Sequence, residues 1–324
     1  MEGKTDAGTV SAEPLVSVII VLYNSGEFIE PCLNALAASR YREFEVIMVD
    51  NGSTDGSART ARLAAEEAGI ERVLVSRLAR NAGFAAANNR GAGLADGEIL
   101  LLLNPDTEVY EDTIGEFVEA CRPSDVGVVG CKVYYPDGRT IQHAGGYIRD
   151  NGLTMHYGVD EEDTGQYDRP AEVAYVTGAA FAVRRDVFFR AGGLDEGYFP
   201  AYFEETDLCL KVRRMGFRVL YHPRPRVMHH ESVTTGKFTR RYYYLYHRNR
   251  VRFMLKNFSL DFLLNRAWPM EERWLGMIEM EDQAIPLNKA YLMNLVNLPR
   301  TLLARRRTDR LVGGPRIEDT VSSL

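Results

Sequence analysis

The sequence has few cysteines and no long apolar run among its 324 residues. The four cysteines lie far apart without a CxxC pair, which disfavours a zinc site or a disulfide framework and favours the reducing cytoplasm: Cys32, Cys121, Cys131 and Cys209. No stretch reaches the roughly 18 apolar residues of a membrane span. The polar first residues lack the apolar core of a signal peptide. We therefore expect a soluble or peripheral protein with a flexible tail at residues 1–14.

Glycine-rich phosphate motifs are also missing at the point where two common classes of nucleotide enzyme need them. The first apolar run, Leu15–Tyr23, is followed by the turn Asn24-Ser25-Gly26. An NAD-dependent oxidoreductase would carry G-x-G-x-x-G there. A sugar-1-phosphate nucleotidyltransferase would carry a glycine-rich loop with arginine and lysine, and it remains a weaker alternative.

The apolar patterns that are present predict an α/β fold. Strands are predicted at Leu15–Tyr23, Phe44–Val49, Arg72–Ser76 and Ile99–Leu103, with helices between them. This alternation implies βαβ units and a mostly parallel sheet. Later segments predict further strands at Val126–Val133 and at Tyr175–Arg184, the latter interrupted at Thr177-Gly178, and then a helix at Phe203–Met215. We expect a catalytic domain at residues 15–236 and a helical extension at residues 237–324.

Carboxylates follow two of the predicted strands. Asp50 and Asp55 come after the second strand, and Asp106 comes after the buried run of the fourth strand. Because the carboxyl ends of parallel strands meet at one edge of a sheet, these side chains should converge where α/β sheets bind ligands. An aspartate there can accept a hydrogen bond from a base or hold Mg²⁺ or Mn²⁺ against a diphosphate. Asp55 fits equally well as an acid that favours a helix N-terminus.

A second acidic group, Glu204-Glu205-Thr206-Asp207, lies in the first turn of a predicted helix. Like charges this close raise one another's pKa, and a carboxylate with a raised pKa can act as a general base for a hydroxyl group. The alternative is that these acids only favour the helix N-terminus. The adjacent histidines His229 and His230 could complete a metal site, although a single histidine is more often structural.

The charge is unevenly distributed along the chain. The net charge is −6, but residues 211–256 contain thirteen Lys or Arg and one acid, which leaves −18 for the remainder. Such a basic block can meet a membrane surface, a phosphate group or a nucleic acid. Nucleic-acid binding is disfavoured because the rest of the surface is acidic. The alternative is an ordinary solvated helix.

Six motifs together closely resemble the inverting family 2 glycosyltransferases of the GT-A fold, in particular the bacterial rhamnosyltransferase group. They are VSVIIVLYNS (16–25), VDNGSTDGS (49–57), NAGFAAANNRG (81–91), LLNPDTEV (102–109), TGAAFAVRRDVF (177–188) and GYFPAYFEETDLCLKVRRMGF (197–217). The resemblance extends from Leu15 to about Phe258. It implies a GT-A catalytic domain that binds a nucleoside-diphosphate sugar.

The resemblance also implies roles for individual residues. Those for the nucleotide sugar are Tyr23, Asn24, Asp50, Asn51, Asp55, Asn81, Gly83 and Asn104, with Thr177 and Gly178 where the acceptor hydroxyl and the donor sugar meet. Asp106 would be the metal-binding acid, in an Asn104-Pro105-Asp106 element that lacks the family's first acid. His229 or His230 would make the late metal or phosphate contact. Glu205 would be the base at the family's Glu-Asp motif, with Glu204 beside it and Asp207 as a competitor.

The implied reaction is a metal-assisted single displacement that inverts the anomeric carbon. The expected donor is a dTDP- or UDP-linked sugar, with dTDP-rhamnose favoured, and the acceptor is a glycan or a lipid-linked sugar. We expect residues 237–256, rich in tyrosine and arginine, either to contact an anionic membrane at its inner face or to pack on the catalytic domain. A catalytically inactive nucleotide-sugar-binding protein is the rival from another class.

Overall fold

The computed structural model of the protein describes residues 13–231, 239–277, 282–314 and 316. The strands are β1 (Val16–Leu22), β2 (Phe44–Asp50), β3 (Val73–Arg77), β4 (Ile99–Leu103), β5 (Thr107–Val109), β6 (Val126–Tyr134), β7 (Ile141–His143), β8 (Gly146–Ile148), β9 (Thr154–His156), β10 (Ala171–Glu172), β11 (Ala180–Arg184) and β12 (Arg218–His229). The helices are α1 (Ile29–Ala37), α2 (Ser57–Glu67), α3 (Phe84–Ala92), α4 (Thr113–Cys121), α5 (Arg185–Arg190), α6 (Glu204–Arg214), α7 (Arg240–Asn257), α8 (Leu260–Phe262), α9 (Trp268–Leu275), α10 (Ala284–Val296) and α11 (Leu298–Val312). A 3₁₀ turn lies at Glu196–Tyr198, and a π-helical turn at Leu263–Ala267 joins α8 to α9.

A mixed sheet runs through the centre of the fold. Its strands lie in the order β10, β12, β6, β11, β4, β1, β2 and β3, with β5 paired to β12 and β7 paired to β6. Strands β3, β2, β1 and β4 are mutually parallel, and β12 is parallel to β6. Strand β11 lies between β4 and β6 and is antiparallel to both, so that β4 and β6 run in the same direction. The expected α/β fold with a mostly parallel sheet is confirmed.

Helices cover both faces of the sheet, which explains why its central strands β1 and β4 are buried along their whole length. Successive residues of β1 point to opposite faces: Ile19 and Val21 pack with α3 and α6, whereas Val18 and Ile20 pack with α1, α2 and α4. The four cysteines are buried and free.

The strand predicted at Tyr175–Arg184 is shorter in the structure. Only Ala180–Arg184 pairs with β4 and β6, and residues 175–179 leave the sheet. The Tyr175 carbonyl oxygen instead accepts a hydrogen bond from the Gly146 N–H. The interruption predicted at Thr177-Gly178 therefore lies at the beginning of β11, on the side where β4 ends.

The C-terminal part of the chain is helical, as expected. Helices α10 and α11 pack on α7, and α11 also contacts α6. None of the described helices combines the length and the apolar content that a membrane span requires. The domain boundary predicted between residues 236 and 237 lies outside the described residues. The first twelve residues of the tail predicted at residues 1–14 lie outside them as well.

Candidate active site

The carboxyl ends of β1, β2 and β4 meet at one edge of the sheet, because Leu22 of β1 lies opposite Asp50 of β2. The next residue after β1, Tyr23, is 37% exposed. Asn24 adopts a left-handed φ of 51° and ties two loops together. Its N–H donates to the Ser53 hydroxyl (3.0 Å), and its side-chain oxygen accepts from the Thr54 N–H (2.9 Å). Tyr23 thus faces solvent at this edge, while Asn24 fixes the loops beneath it.

Asp50 is buried at the end of β2, with 1% of its surface exposed. One carboxylate oxygen accepts from the Ser53 N–H (2.9 Å), and the other lies 3.1 Å from Nε of the exposed Arg77. A carboxylate offers about four lone-pair sites, so these two contacts leave acceptor capacity for a further donor. Arg77 is a partner that sequence motifs did not indicate.

A chain of asparagine contacts shapes the loop before α3. The Asn51 side chain donates to Asn81 (3.2 Å) and accepts from the Ala82 N–H (2.8 Å), while Asn81 accepts from the Gly83 N–H (2.8 Å). Gly83 has φ +93°, and a Cβ there would lie 2.9 Å from the Phe199 ring. The predicted Asn51, Asn81 and Gly83 are therefore brought together, and the last lies against the 199–200 segment.

Asp55 fastens the N-terminus of α2 to the turn after β1. Its two oxygens accept from the Gly26 N–H (3.1 Å) and from the Ser57 N–H (2.9 Å). Burial alone would raise the pKa of Asp55, but hydrogen bonds from Ser57 and Gly26 lower it below its ordinary value. Of the two roles open to this residue, its contacts match the structural one.

Asp106 and His229 lie together because β5 pairs with the end of β12, placing His229 opposite Thr107. The Asp106 side chain is almost fully buried, and one of its oxygens lies 3.3 Å from His229 Nε2. The Asn104 side-chain nitrogen lies 3.4 Å from the same ring nitrogen. Asn104, Asp106 and His229 thus converge just beyond the end of β4.

Gln142 on β7 fixes the orientation of the His229 ring. Its side-chain oxygen lies 2.6 Å from His229 Nδ1, so that Nδ1 carries the proton and donates it. In the neutral ring the lone pair is then on Nε2, the atom that faces Asp106. An acceptor that orients a histidine from the far side is the usual support of a metal ligand.

The second histidine points elsewhere. His230 Nε2 lies 2.6 Å from a carboxylate oxygen of Glu108, and only its backbone N–H contacts the carbonyl of Asp106. Among the described residues, no three His, Cys, Asp or Glu side chains are grouped closely enough to hold a metal ion by themselves. Two side-chain ligands suffice for Mg²⁺ when substrate phosphates and water supply the others. Asp106 supplies the carboxylate of that arrangement, with the His229 nitrogen beside it.

Glu204 and Glu205 begin helix α6 and are not equivalent. Glu204 is 2% exposed, and burial together with the charge of Glu205 raises its pKa far above the ordinary value. Glu205 is half-buried. Burial raises the pKa of Glu205 to about 7, although hydrogen bonds from its own N–H and from Thr206 oppose the shift. The environment of Glu204 therefore favours its protonated form, while Glu205 changes charge near neutrality.

Asp207 has a different environment from both glutamates. It is fully buried and accepts hydrogen bonds from Lys256 (2.7 Å), Tyr198 (3.0 Å) and Asn257 (2.9 Å). Burial alone would raise its pKa, but the ammonium groups of Lys256 and Lys211 lower it. The expectation that Asp207 competes with Glu205 as base disagrees with this geometry, because its oxygens are turned into the protein and are engaged there.

Gly178 connects the two acidic regions. A Cβ on Gly178 would lie 3.7 Å from the Glu205 carboxyl carbon. The next residue, Ala179, accepts a hydrogen bond from the Asn104 N–H (2.9 Å). Residues 177–179 therefore lie between Glu205 on one side and the Asn104 and Asp106 turn on the other.

The expectation of a membrane contact through residues 237–256 is not matched by the described part of that segment. Arg250 is fully buried and bonds Glu271, and Arg252 and Lys256 bond Asp195. Tyrosine rings of α7 pack on Tyr202 and Phe203. The alternative given above, packing on the catalytic domain, describes the C-terminal half of α7, because Arg252 and Lys256 pair with Asp195 of that domain, while Arg250 pairs with Glu271 of α9. Lys237 lies outside the described residues.

No sequence motif indicated the residues that hold the site residues in place. Gln142, Lys256 and Asn249 lie in no recognisable motif, and each acts across a long sequence separation. Asn249, for example, donates to the carbonyl oxygens of Tyr198 (2.6 Å) and Ala201 (2.8 Å), just before α6. A possible signal was the polar His-x-Asn-Arg run (247–250) within an aromatic helix.

Comparison with known proteins connects this geometry to a family. The model of "Glycosyl transferase family 2" matches residues 17–190. An uncharacterized protein of Sinorhizobium fredii, y4gI, is 37% identical over 231 residues, which are 69% of this chain. The match covers only 25% of that relative's own length.

A second relative is matched over nearly its whole length. The N-acetylglucosaminyl-diphospho-decaprenol L-rhamnosyltransferase of Mycobacterium tuberculosis is 28% identical, with 93% of this chain and 98% of that protein covered. Among solved structures, a mannosyltransferase from Pyrobaculum calidifontis in complex with GDP-Man and Mn²⁺ aligns with a TM-score of 0.58 and 21% identity. This alignment covers 94% of this chain and 82% of the other. It shows a shared GT-A fold.

Proposed function

The chain belongs to glycosyl transferase family 2, and from that premise we propose that it is an inverting glycosyltransferase with L-rhamnose or a related deoxyhexose as the transferred sugar. The donor is a dTDP- or UDP-linked sugar, and the acceptor is a hydroxyl group of a glycan or a lipid-linked sugar. The enzyme works at the inner face of the cell membrane.

One observation carries the proposal: Glu205 and the Asn104-Pro105-Asp106 turn flank the same short segment. The Glu205 carboxyl carbon lies 3.7 Å from the Cβ position of Gly178, and the Asn104 N–H bonds the next residue, Ala179. An acceptor hydroxyl beside Glu205 would then be close to a diphosphate beside Asp106. This is the juxtaposition that a single displacement requires.

The reaction follows from the state of Glu205. A carboxylate with a pKa of about 7 is half ionised near neutrality and can take a proton from a hydroxyl group. The acceptor oxygen forms a bond to the anomeric carbon while the bond from that carbon to the diphosphate oxygen breaks. The bonding electron pair leaves on the diphosphate, and attack from the opposite side inverts the configuration. Burial and the charge of Glu205 raise the pKa of Glu204, which disfavours a second charge beside Glu205.

Asp106 and His229 are the residues that would hold a divalent cation, Mn²⁺ or Mg²⁺, with Asn104 beside them. Their oxygen and imidazole nitrogen atoms suit Mn²⁺, and the lone pair on His229 Nε2 faces the site because Nδ1 donates to Gln142. When bound, such a cation neutralises negative charge that develops on the leaving diphosphate. Tyr23, Asp50 and the loop at residues 81–83 are assigned to the nucleoside.

The mycobacterial relative supports the choice of sugar and acceptor. Its name describes transfer of L-rhamnose to N-acetylglucosaminyl-diphospho-decaprenol, and its sequence aligns with this chain along nearly its full length. We extend that substrate class to this chain: a deoxyhexose donor and a sugar on a lipid diphosphate.

A thermal-shift panel tests the proposal. A preferred ligand stabilises the folded state by mass action, so dTDP-rhamnose with Mn²⁺ should raise the melting temperature more than dTDP-glucose, UDP-glucose or GDP-mannose. Transfer to a short-chain lipid diphosphate N-acetylglucosamine should follow, and the anomeric configuration of the product should be inverted. Stabilisation by GDP-sugars alone, or a product with retained configuration, would contradict the proposal.

A further inference from the structure

Helices α10 and α11 expose an apolar surface to solvent. Seven of their large apolar side chains are between 43% and 69% exposed: Leu311 near the end of α11, and a group of six formed by Ile285, Leu292, Leu295, Val296, Leu302 and Leu303. Ile285, Leu292 and Val296 are spaced by seven and four residues, so they form one stripe along α10. The opposite side of α10 carries Leu287 and Ala290, which are buried. Both faces of α10 are therefore apolar, although only one is covered by the protein.

Arginines surround this surface. Arg300, Arg306, Arg307 and Arg310 on α11 are exposed. In the part of the chain that the structure describes, no acid lies within ion-pair distance of these four side chains, whereas arginines of α7 are paired with Asp195 and Glu271. We call the six apolar residues and these four arginines the α10–α11 face.

A cavity opens beside the same face. It has a volume of about 490 Å³ and lies between α7, α10, α11 and the 3₁₀ turn. Four arginines line it together with a single acid: Arg248, Arg252, Arg300, Arg307 and Asp195. Asp195 already bonds Arg252 and Lys256, so the cavity retains an excess of positive charge. Its size and charge suit a phosphate-bearing group.

We propose that the α10–α11 face docks on an anionic phospholipid membrane, with a lipid phosphate entering the arginine-lined cavity. Exposed apolar side chains among arginines are the composition of a helix that lies in a membrane interface. A second copy of the chain is a poorer occupant, because a two-fold interface would bring the same unpaired arginines opposite each other without acids between them. The purpose of docking rests on the proposed function, since a lipid-linked acceptor lies in the membrane.

Co-sedimentation with vesicles tests the docking without any sugar transfer. The full chain should sediment with phosphatidylglycerol vesicles, bind phosphatidylcholine vesicles much less, and be released as salt rises. Arg300→Gln together with Arg307→Gln should lower partitioning onto phosphatidylglycerol by on the order of tenfold, since each basic residue near an anionic surface contributes to binding. Leu295→Ser should lower it as well. These residues are exposed, so the melting temperature should stay the same.

Matched control variants lie on α2, which is distant in sequence from α10 and α11 and carries the exposed residues Arg59, Arg62 and Leu63. Arg59→Gln with Arg62→Gln, and Leu63→Ser, should bind vesicles like the unaltered protein. Equal loss in both sets would indicate a non-specific charge effect and overturn the proposal. So would a dimer in light scattering that Leu295→Ser dissociates while vesicle binding is absent.

Inorganic diphosphate distinguishes a lipid headgroup from a soluble anion. If the cavity serves a membrane, free diphosphate should compete with vesicles only weakly. Stabilisation by diphosphate that Arg300→Gln with Arg307→Gln removes, without any binding to vesicles, would assign the cavity to a soluble ligand and overturn membrane docking. Vesicle binding requires no donor. If the protein fails to bind vesicles, the thermal-shift test of the proposed function with nucleotide sugars is therefore unaffected.

Discussion

The ammonium nitrogen of Lys256 lies 2.7 Å from a carboxylate oxygen of Asp207, and both side chains are almost completely buried. Lys256 belongs to α7 and Asp207 to α6, only two residues after Glu205. The same ammonium group bonds Asp195 (2.7 Å), which precedes the 3₁₀ turn. One lysine thus holds together the helix that carries the proposed base and the turn before it.

Replacing Lys256 should destabilise the protein strongly. Lys256→Met leaves Asp207 buried without its main partner, and breaking a buried ion pair costs about 3–5 kcal/mol. The free energy of unfolding, measured in urea at neutral pH, should fall by this amount, whereas Lys289→Met on the exposed side of α10 should change it little. A loss below about 1 kcal/mol would mean that the pair contributes no net stability.

The same pair should make stability depend on acid pH. Lys256 and Lys211 hold the pKa of Asp207 below its ordinary value of 3.8. A carboxylate with a lowered folded-state pKa stabilises the protein above its unfolded-state pKa, and this stability is lost as pH falls through the folded-state value. Unfolding free energy should therefore decrease below about pH 4. Asp207→Asn should flatten that dependence.

Glu205→Gln should remove most of the catalytic rate while donor affinity remains. An amide fills the same space but takes no proton, so kcat should fall by about 10²–10⁴. In the unaltered enzyme, kcat/KM should rise with pH up to about 7, the pKa of Glu205, and then level off. Glu204→Gln should retain more of the rate, because the raised pKa of Glu204 favours its neutral form, which the amide resembles. A larger loss with Glu204→Gln would exchange the two roles.

The pH dependence of stability measures the pKa of Glu205 independently of catalytic activity. Its folded-state pKa of about 7 exceeds the ordinary value of 4.5. Its contribution to stability is therefore fully present below 4.5 and declines as pH rises towards 7. Glu205→Gln should become more stable relative to the unaltered protein between about pH 5 and pH 8. A constant difference would mean that burial does not raise the pKa.

The sequence predicted the first part of the sheet well, for a physical reason. Strands β1, β2 and β4 are buried on both faces, so burial alone explains their apolar runs, and their polar ends mark the edge where Asp50 and Asp106 lie. Residues 175–179 were misassigned, because the short apolar pattern there is compatible with a strand, although Tyr175 bonds Gly146 and the Ala179 carbonyl oxygen accepts from the Asn104 N–H.

Prediction was less successful for α7. A helix with many arginines and tyrosines has the composition of a membrane interface, but composition does not show which acids lie opposite. Arg250 and Lys256 are buried only because Glu271 and Asp207 reach them from distant parts of the chain. Helices α10 and α11 carry exposed apolar side chains, where the sequence showed only an apolar segment.

The metal site gives a prediction about Gln142. Gln142→Leu removes the acceptor that orients His229, so the Mn²⁺ concentration for half-maximal transfer should rise by about 10–100-fold, with kcat recovered at saturating metal. Chelation should stop transfer, and added Mn²⁺ should restore it. His230→Gln is the control, since that ring contacts Glu108. An unchanged metal requirement in Gln142→Leu would remove His229 from the site.

Gly83→Ala should damage both stability and donor binding. The residue has φ +93°, and its new Cβ would lie 2.9 Å from the Phe199 ring and 3.2 Å from the Pro200 carbonyl oxygen. We expect a loss of about 1–3 kcal/mol in unfolding free energy and a higher KM for the donor, because the loop at residues 81–83 must move. Unchanged donor KM would separate this loop from the nucleoside site.

Gly178→Ala should affect transfer while the fold stays intact. The new methyl group would meet its closest neighbour, the Glu205 carboxyl carbon, at 3.7 Å, which is ordinary van der Waals contact. Unfolding free energy should therefore change by less than about 0.5 kcal/mol. The methyl group would occupy space where the acceptor hydroxyl approaches Glu205, so kcat/KM for the acceptor should fall at least about tenfold.

The added carbon would also shield Glu205 from water, so the midpoint of the pH–rate profile should move to higher pH. Thermal shifts by the donor should be unaffected, because the residues proposed to contact the nucleoside lie at the ends of β1 and β2. If Gly178→Ala transfers sugar at the original rate with the original midpoint, the acceptor does not pass between Gly178 and Glu205. Glu205 could then act as the base only if the acceptor approached it from another direction.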